Sequence, residues 1–142
     1  MNEVLPGKNI FLVEDSLEVS RMYERAFRLR GHQLEIAYDG ETALERLTAI
    51  EPTPDAILLD VMVPHMHGAD LLQALRANPK FANVAIIILT NSFQKQDAAQ
   101  FIELGADLYL VKIEHQSKQI VDQVEALISR RAETHYEQNT TH

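Results

Sequence analysis

Five polar side chains stand directly after apolar runs. Glu14 and Asp15 follow Asn9–Val13, Asp60 follows Ala56–Leu59, Thr90 follows Val84–Leu89, and Lys112 follows Leu108–Val111. Three carboxylates brought together repel one another by roughly 1–4 kcal/mol per pair at 4 Å in a high effective dielectric. A hard divalent cation relieves that repulsion. Mg²⁺ takes oxygen ligands, keeps several waters and often shares its shell with a phosphate. A carboxylate facing such a metal can attack phosphorus and form an acyl phosphate. An ammonium can neutralise the phosphoryl oxygens while a hydroxyl hydrogen-bonds one of them. Asp60, a cation, Lys112 and Thr90 fill these roles. Each residue also has a plainer reading: Asp60 as a turn-initiating acid, Asp15 as a helix cap, Lys112 as an ordinary exposed lysine. Their shared position after apolar runs favours the chemical reading.

The surrounding pattern supplies elements to hold them. Ala56–Leu59 reads as a strand buried on both faces, and the loop after Asp60 is closed by Pro64 and Gly68. After the first run, Asp15 and Glu18 have the spacing of a helix cap. Val19, Met22, Tyr23, Ala26 and Arg30 then share one helical face, which ends at Gly31. Gln33–Tyr38 alternates as a half-buried edge strand does, and Asp39 caps a helix carrying Ala43, Leu44, Leu47 and Ile50. Pro52 and Pro54 break the chain before the central strand. A third helix carries Ala69, Leu72 and Leu75 and stops at Asn78-Pro79. Ala98, Phe101 and Ile102 outline a fourth; Ile120, Val124, Leu127 and Ile128 outline a fifth.

Five alternations of strand and helix imply an α/β fold, a parallel sheet wound on both faces by helices. All strand carboxyl ends then lie along one edge, where such folds hold ligands. From Ala132 onward the residues are polar and aperiodic. The expected organisation is one domain over residues 1–131 and a flexible polar tail over 132–142.

Composition narrows the classes. At 142 residues with 46% hydrophobic content, the chain can bury a real core. There is no cysteine, hence no disulfide framework and no thiolate chemistry. No apolar run approaches the roughly 18 residues of a membrane span, and no secretory leader is visible. A cytoplasmic protein without a membrane partner is expected. The net charge of −8 disfavours nucleic-acid binding, which relies on a basic surface. His65 and His67 have no third nitrogen or sulfur ligand nearby in sequence and read as exposed loop residues.

Taken in order, Phe11-Leu12-Val13-Glu14-Asp15, Leu58-Leu59-Asp60 with Pro64, Met66 and Gly68, Ile88-Leu89-Thr90, and Gly105-Ala106-Asp107-Leu108-Tyr109-Leu110-Val111-Lys112 carry a family resemblance. The chain resembles a receiver domain of two-component response regulators, of the single-domain chemotaxis-receiver kind, from about Lys8 to Arg131. The resemblance implies a flavodoxin-like sheet of order 2-1-3-4-5 with five helices. It implies that Asp60 accepts a phosphoryl group from a phosphohistidine on a sensor histidine kinase or histidine phosphotransfer protein. Asp15 and Asp60 would bind Mg²⁺ directly, Glu14 largely through water, and the Met62 backbone carbonyl would add a ligand. Thr90 and Tyr109 would form the switch pair, and Lys112 the ion pair to the phosphoryl group. Such a chain is a regulator that assists its own phosphotransfer and autodephosphorylation, not an enzyme in the ordinary sense. No effector domain is read after the last helix, so the expectation is either that the output is a changed surface, read by a downstream protein or by a second copy as a phosphorylation-dependent homodimer, or that the chain is a fragment of a longer one.

Three positions depart from the family pattern. Ile113 replaces the usual proline after the lysine; a cis bond there would cost about 2.5–4 kcal/mol, so trans is expected. Asn91 replaces a small residue after Thr90, and Val63 stands where methionine is frequent. The resemblance implies that Met62 and Ser92 flank the approach of a hydrolytic water, and neither suits orienting one, so a long-lived phosphoryl group is expected. Rival readings meet obstacles. A haloacid-dehalogenase-type phosphatase needs an acid where Met62 stands. A flavodoxin-like cofactor binder needs a Ser/Thr/Gly-rich loop where Glu14-Asp15 would repel phosphate. A phosphorylation-independent interaction scaffold would be expected to lack some of the acids or Lys112.

Overall fold

The computed structural model describes residues 6–91, 94–112 and 116–140, with side chains as far as residue 132. In chain order the elements are β1 (Asn9–Val13), α1 (Leu17–Leu29), β2 (Gln33–Ala37), α2 (Gly40–Ala49), β3 (Ala56–Asp60), α3 (Gly68–Ala77), a 3₁₀ turn (Pro79–Phe81), β4 (Ala85–Thr90), α4 (Lys95–Glu103), β5 (Leu108–Val111) and α5 (Ser117–Thr140). The strands form one parallel sheet in the order β2-β1-β3-β4-β5, as the sequence pattern and the resemblance implied.

Strand periodicity splits the core in two. On one face Phe11, Val13, Ile57, Leu59, Ile86 and Ile88 meet α2, α3 and α4 through Leu47, Leu71, Leu72, Leu75 and Phe101. On the other, Ile10, Leu12, Leu58, Ile87 and Leu89 meet α1 and α5 through Tyr23, Phe27, Ile120, Val124 and Leu127. Every residue of β3 and β4 is buried, which is why these strands read as unbroken apolar runs. Burying each such side chain contributes roughly 1.5–3 kcal/mol before chain entropy is counted. The alternating burial of β2 is that of the edge strand it is.

Three local features differ from the sequence reading. The cap of α1 is Ser16, whose hydroxyl accepts from Val19 N at 3.2 Å, not Asp15. The buried face of α1 is Ser20, Tyr23 and Phe27, whereas Met22 remains 47% exposed. Two aromatics at i and i+4 claim the space against the sheet and turn the helix by about one residue. Lastly, α5 continues to Thr140, so residues 132–140 prolong a helix where a separate tail was expected. Ala132, Glu133, Glu137 and Gln138 are good helix formers, and a helix already nucleated propagates through them.

Candidate functional site at the carboxyl edge of the sheet

Register brings the polar residues together. Val13 pairs with Leu59, Asp60 with Leu89, and Thr90 with Val111. Residues immediately beyond Val13 and Val111 therefore project from the same edge as Asp60 and Thr90. Glu14 is anchored there by its backbone, its N–H donating to Ala37 O at 3.0 Å.

The loop after Asp60 is clamped by two glycines. A Cβ on Gly68 would lie 3.0 Å from Val61 Cα, and one on Gly40 would lie 2.5 Å from Met66 Cβ. At Gly40 a side chain would force Met66 to move, and at Gly68 it would press on the Val61 backbone, so both positions favour a residue without one. Gly40 N–H also donates to Pro64 O at 3.0 Å. The loop residues His65 and His67 are exposed, as expected, but His67 has a structural duty: its Nδ1 accepts from Ala69 N at 3.1 Å and caps α3.

At the centre, Lys112 Nζ donates to Glu14 Oε1 at 2.5 Å and to Asp60 Oδ2 at 2.7 Å. Asp60 Oδ1 accepts from Met62 N at 2.9 Å, and Glu14 Oε2 accepts from Ser16 N at 3.2 Å. Glu14 and Asp60 are buried, while Asp15 is exposed at the rim. Burial pushes the Glu14 carboxyl up to about 7; its hydrogen bond to Asp60 adds to the rise and Lys112 opposes it. Burial works against the Lys112 ammonium, but its bonds to Asp60 and Glu14 win and hold it above the usual lysine range. One ammonium thus bonds two of three clustered carboxylates, and Asp15 adds a further acid at the rim.

That donor set fits a hard divalent cation. Glu14, Asp15 and Asp60 each present a carboxylate oxygen, all within 4.8 Å of one another, with no competing nitrogen or sulfur ligand among them. Because Ser16 caps α1, Asp15 is spared that duty. Met62, expected to lend its carbonyl, lies in the turn beside the cluster; its side chain is 71% exposed.

Thr90 is buried at the end of β4. Tyr109, one strand over, is half-buried and its ring stacks on Phe101 with centroids 5.9 Å apart. Tyr109 thus rests against the core in this state. Asn91 follows as an exposed bend, and Ser92 and Ile113 lie outside the described residues. Sequence reasoning also missed how close Tyr23 sits to the site. Its buried phenol, raised in pKa by burial, feels the charges of Lys112, Glu14 and Asp60. Its helical spacing gave only its place in the core.

Known proteins resemble this chain in sequence and fold. The family model described as the response regulator receiver domain matches residues 10–125. Transcriptional regulatory protein PrrA of Mycobacterium leprae is 34% identical over 134 residues, covering 94% of this chain and 55% of that protein. The chain therefore spans about half the length of the curated relatives it matches. Among solved structures, the Mn²⁺-bound form of response regulator Rcp1 has a TM-score of 0.72 and 30% identity, covering 86% of this chain and 92% of that one. The phosphorylated cyanobacterial phytochrome response regulator RcpA has a TM-score of 0.73 and 26% identity, covering 85% and 91%. With its acids, hydroxyl and lysine gathered on one sheet edge, the chain belongs to the response regulator receiver domain family.

Proposed function

We propose that this chain is a phosphorylation-dependent switch of a two-component system, with Asp60 as the phosphoacceptor. The observation that carries this reading is the double contact of Lys112 with Glu14 and Asp60 beside the exposed Asp15. In the step proposed, an Asp60 carboxylate oxygen attacks the phosphorus of a phosphohistidine on a sensor histidine kinase or phosphotransfer protein. The phosphorus–nitrogen bond breaks, and the imidazole leaves with its electron pair and takes up a proton. Glu14, Asp15 and Asp60 would hold Mg²⁺, which neutralises phosphoryl charge when bound. Lys112 supplies the second cation and Thr90 a hydroxyl donor for the product. The likeness to a Mn²⁺-bound and to a phosphorylated response regulator supports the same assignment. The scaffold reading is disfavoured because no acid of the cluster is replaced and Lys112 is in place.

Autodephosphorylation is proposed to be slow, because the exposed Met62 beside Asp60 is apolar and cannot orient water. The phosphoryl group should persist for minutes or longer in Mg²⁺ buffer. Incubation with acetyl phosphate and Mg²⁺, followed by intact-mass measurement, should add one phosphoryl group to the wild type and none to Asp60→Asn. Phosphorylation that survives in Asp60→Asn would refute the assignment. The coarse output is a changed surface, read by a downstream protein or by a second copy.

A further inference from the structure

We propose that the opposite edge of the sheet carries a second site, a cleft for a nucleotide-sized organophosphate. This inference is independent of the phosphoacceptor reading. The cleft is bounded by the residues that lead into β1, β3, β4 and β5, and by the end of the core portion of α5. It lies about one strand length, roughly 15 Å, from Asp60.

Its charge runs against that of the chain. Although the protein is net −8, four cations line the cleft, Lys8, Lys80, Arg130 and Arg131, against two carboxylates. Both carboxylates are already engaged. Asp55 Oδ2 accepts from Asn9 N at 2.8 Å. Asp107 accepts from Ile86 N and Arg76 Nη2, each at 2.9 Å, and from Arg131 Nη1 at 2.7 Å. Two guanidiniums therefore share one carboxylate. Burial, with the Arg131 charge adding to it and Asp107 opposing, holds Arg76 below the usual guanidinium range. Arg131 Nε is buried with no hydrogen-bond partner among the described residues. Lys80 is turned partly aside, donating to Thr48 O at 2.8 Å with Glu51 at 3.7 Å. Lys8 and Arg130 have no carboxylate partner in the described ion pairs.

Size and lining define the ligand further. The cleft holds about 870 Å³, within the roughly 300–1,000 Å³ of small-molecule sites. Val84, Leu108, Leu127 and Ile128 give it apolar wall, so a bare anion would leave much of it unfilled. Arg131 is held in the wall by Asp107 at 2.7 Å and by Ala82 O at 3.4 Å, and the exposed Arg130 guanidinium with Lys8 leaves excess positive charge that suits a phosphate dianion better than a lone carboxylate. An apolar body bearing phosphate, such as a nucleoside monophosphate, meets both demands.

The test is an amide NMR titration of the full chain in EDTA, which keeps metal-dependent phosphate binding at Asp60 out of the measurement. The probes are AMP, inorganic phosphate and adenosine. Saturable shifts are expected at Lys8, Asp55, Asp107, Arg130 and Arg131 with AMP, and each half-ligand should bind at least about tenfold more weakly. The double variant Lys8→Gln/Arg130→Gln removes two side chains without breaking any described hydrogen bond. It should keep the wild-type spectrum elsewhere and lose about tenfold or more in AMP affinity. No saturable shift at millimolar AMP, shifts confined to the Asp60 edge, equal binding of inorganic phosphate, or unchanged affinity in the double variant would each overturn the proposal.

Discussion

Asp60 ends the central strand β3 and Lys112 follows β5, two strands away, yet their charged atoms lie 2.7 Å apart, and the same ammonium reaches Glu14. The side chains involved are only 10%, 5% and 1% exposed. Removing one partner of so buried a group leaves uncompensated charge, which typically costs about 3–5 kcal/mol. Lys112→Met should therefore lose around 3 kcal/mol in EDTA, since Glu14 can partly relieve the charge by taking a proton. Added Mg²⁺ should recover part of that loss by supplying a replacement cation. Urea denaturation with and without Mg²⁺ measures both effects. Equal stability of variant and wild type in EDTA would show that the ammonium does not neutralise this pair.

Asp15 gives a cleaner view of the metal, because it is exposed and holds no helix cap. Mg²⁺ at ten times its dissociation constant should stabilise the wild type by about 1.4 kcal/mol. Asp15→Ala should match or exceed the wild type without metal, since one repelling charge is gone, and should lose most of the Mg²⁺ effect. Thermal unfolding across a MgCl₂ series decides the matter. Full stabilisation of Asp15→Ala by Mg²⁺ would remove Asp15 from the ligand set.

Gly68 tests how the loop beside Asp60 is held. The first Cβ contact in Gly68→Ala would be backbone, at 3.0 Å from Val61 Cα, and backbone cannot step aside as a flexible side chain does. Overpacking of this kind costs about 1–3 kcal/mol. The variant should be destabilised within that range and also phosphorylated more slowly, because Val61 and Met62 sit directly after Asp60, the proposed phosphoacceptor. A variant with unchanged stability would mean that α3 can shift without cost.

Much of this molecule was legible in the sequence because its strands are buried on both faces. Ala56–Asp60 and Ala85–Thr90 are continuous apolar runs for that reason, and their polar ends marked the site. Asp39 was legible as a cap since the helical pattern begins at once behind it; its carboxylate accepts from Thr42 N at 2.8 Å. At the start of α1, Asp15 and Ser16 are both good caps by residue type, and the helix that buries Tyr23 and Phe27 uses Ser16. The double contact of Lys112 joins residues 98 and 52 positions apart, a relation that no local spacing encodes. The half-buried position of Tyr109 against Phe101 is likewise tertiary. Polarity hid the continuation of α5, because helix propensity persists where an apolar stripe has ended.

The proposed link from site to output runs through Thr90 and Tyr109. A phosphoryl group on Asp60 would give Thr90 a charged acceptor, and such a hydrogen bond is roughly twice as strong as a neutral one. Thr90 is buried in β4 and Tyr109 lies in the neighbouring β5, so in the switch proposed a shift of the hydroxyl would change what the tyrosine packs against. The ring is half-buried already and stacked on Phe101, so the motion expected is a repacking within the α4–β5 face. Such an equilibrium moves only by the difference in interaction energy between its two states. Thr90→Ala should accept the phosphoryl group yet respond weakly. Tyr109→Ala should also be phosphorylated, lose about 0.5–1.5 kcal/mol of stability with the stacked pair, and fail to change its self-association or partner affinity. Sedimentation velocity before and after acetyl phosphate treatment, on wild type and both variants, reads the response. If Thr90→Ala responds as fully as the wild type, the signal leaves Asp60 by another route, and the hydroxyl serves the chemistry alone.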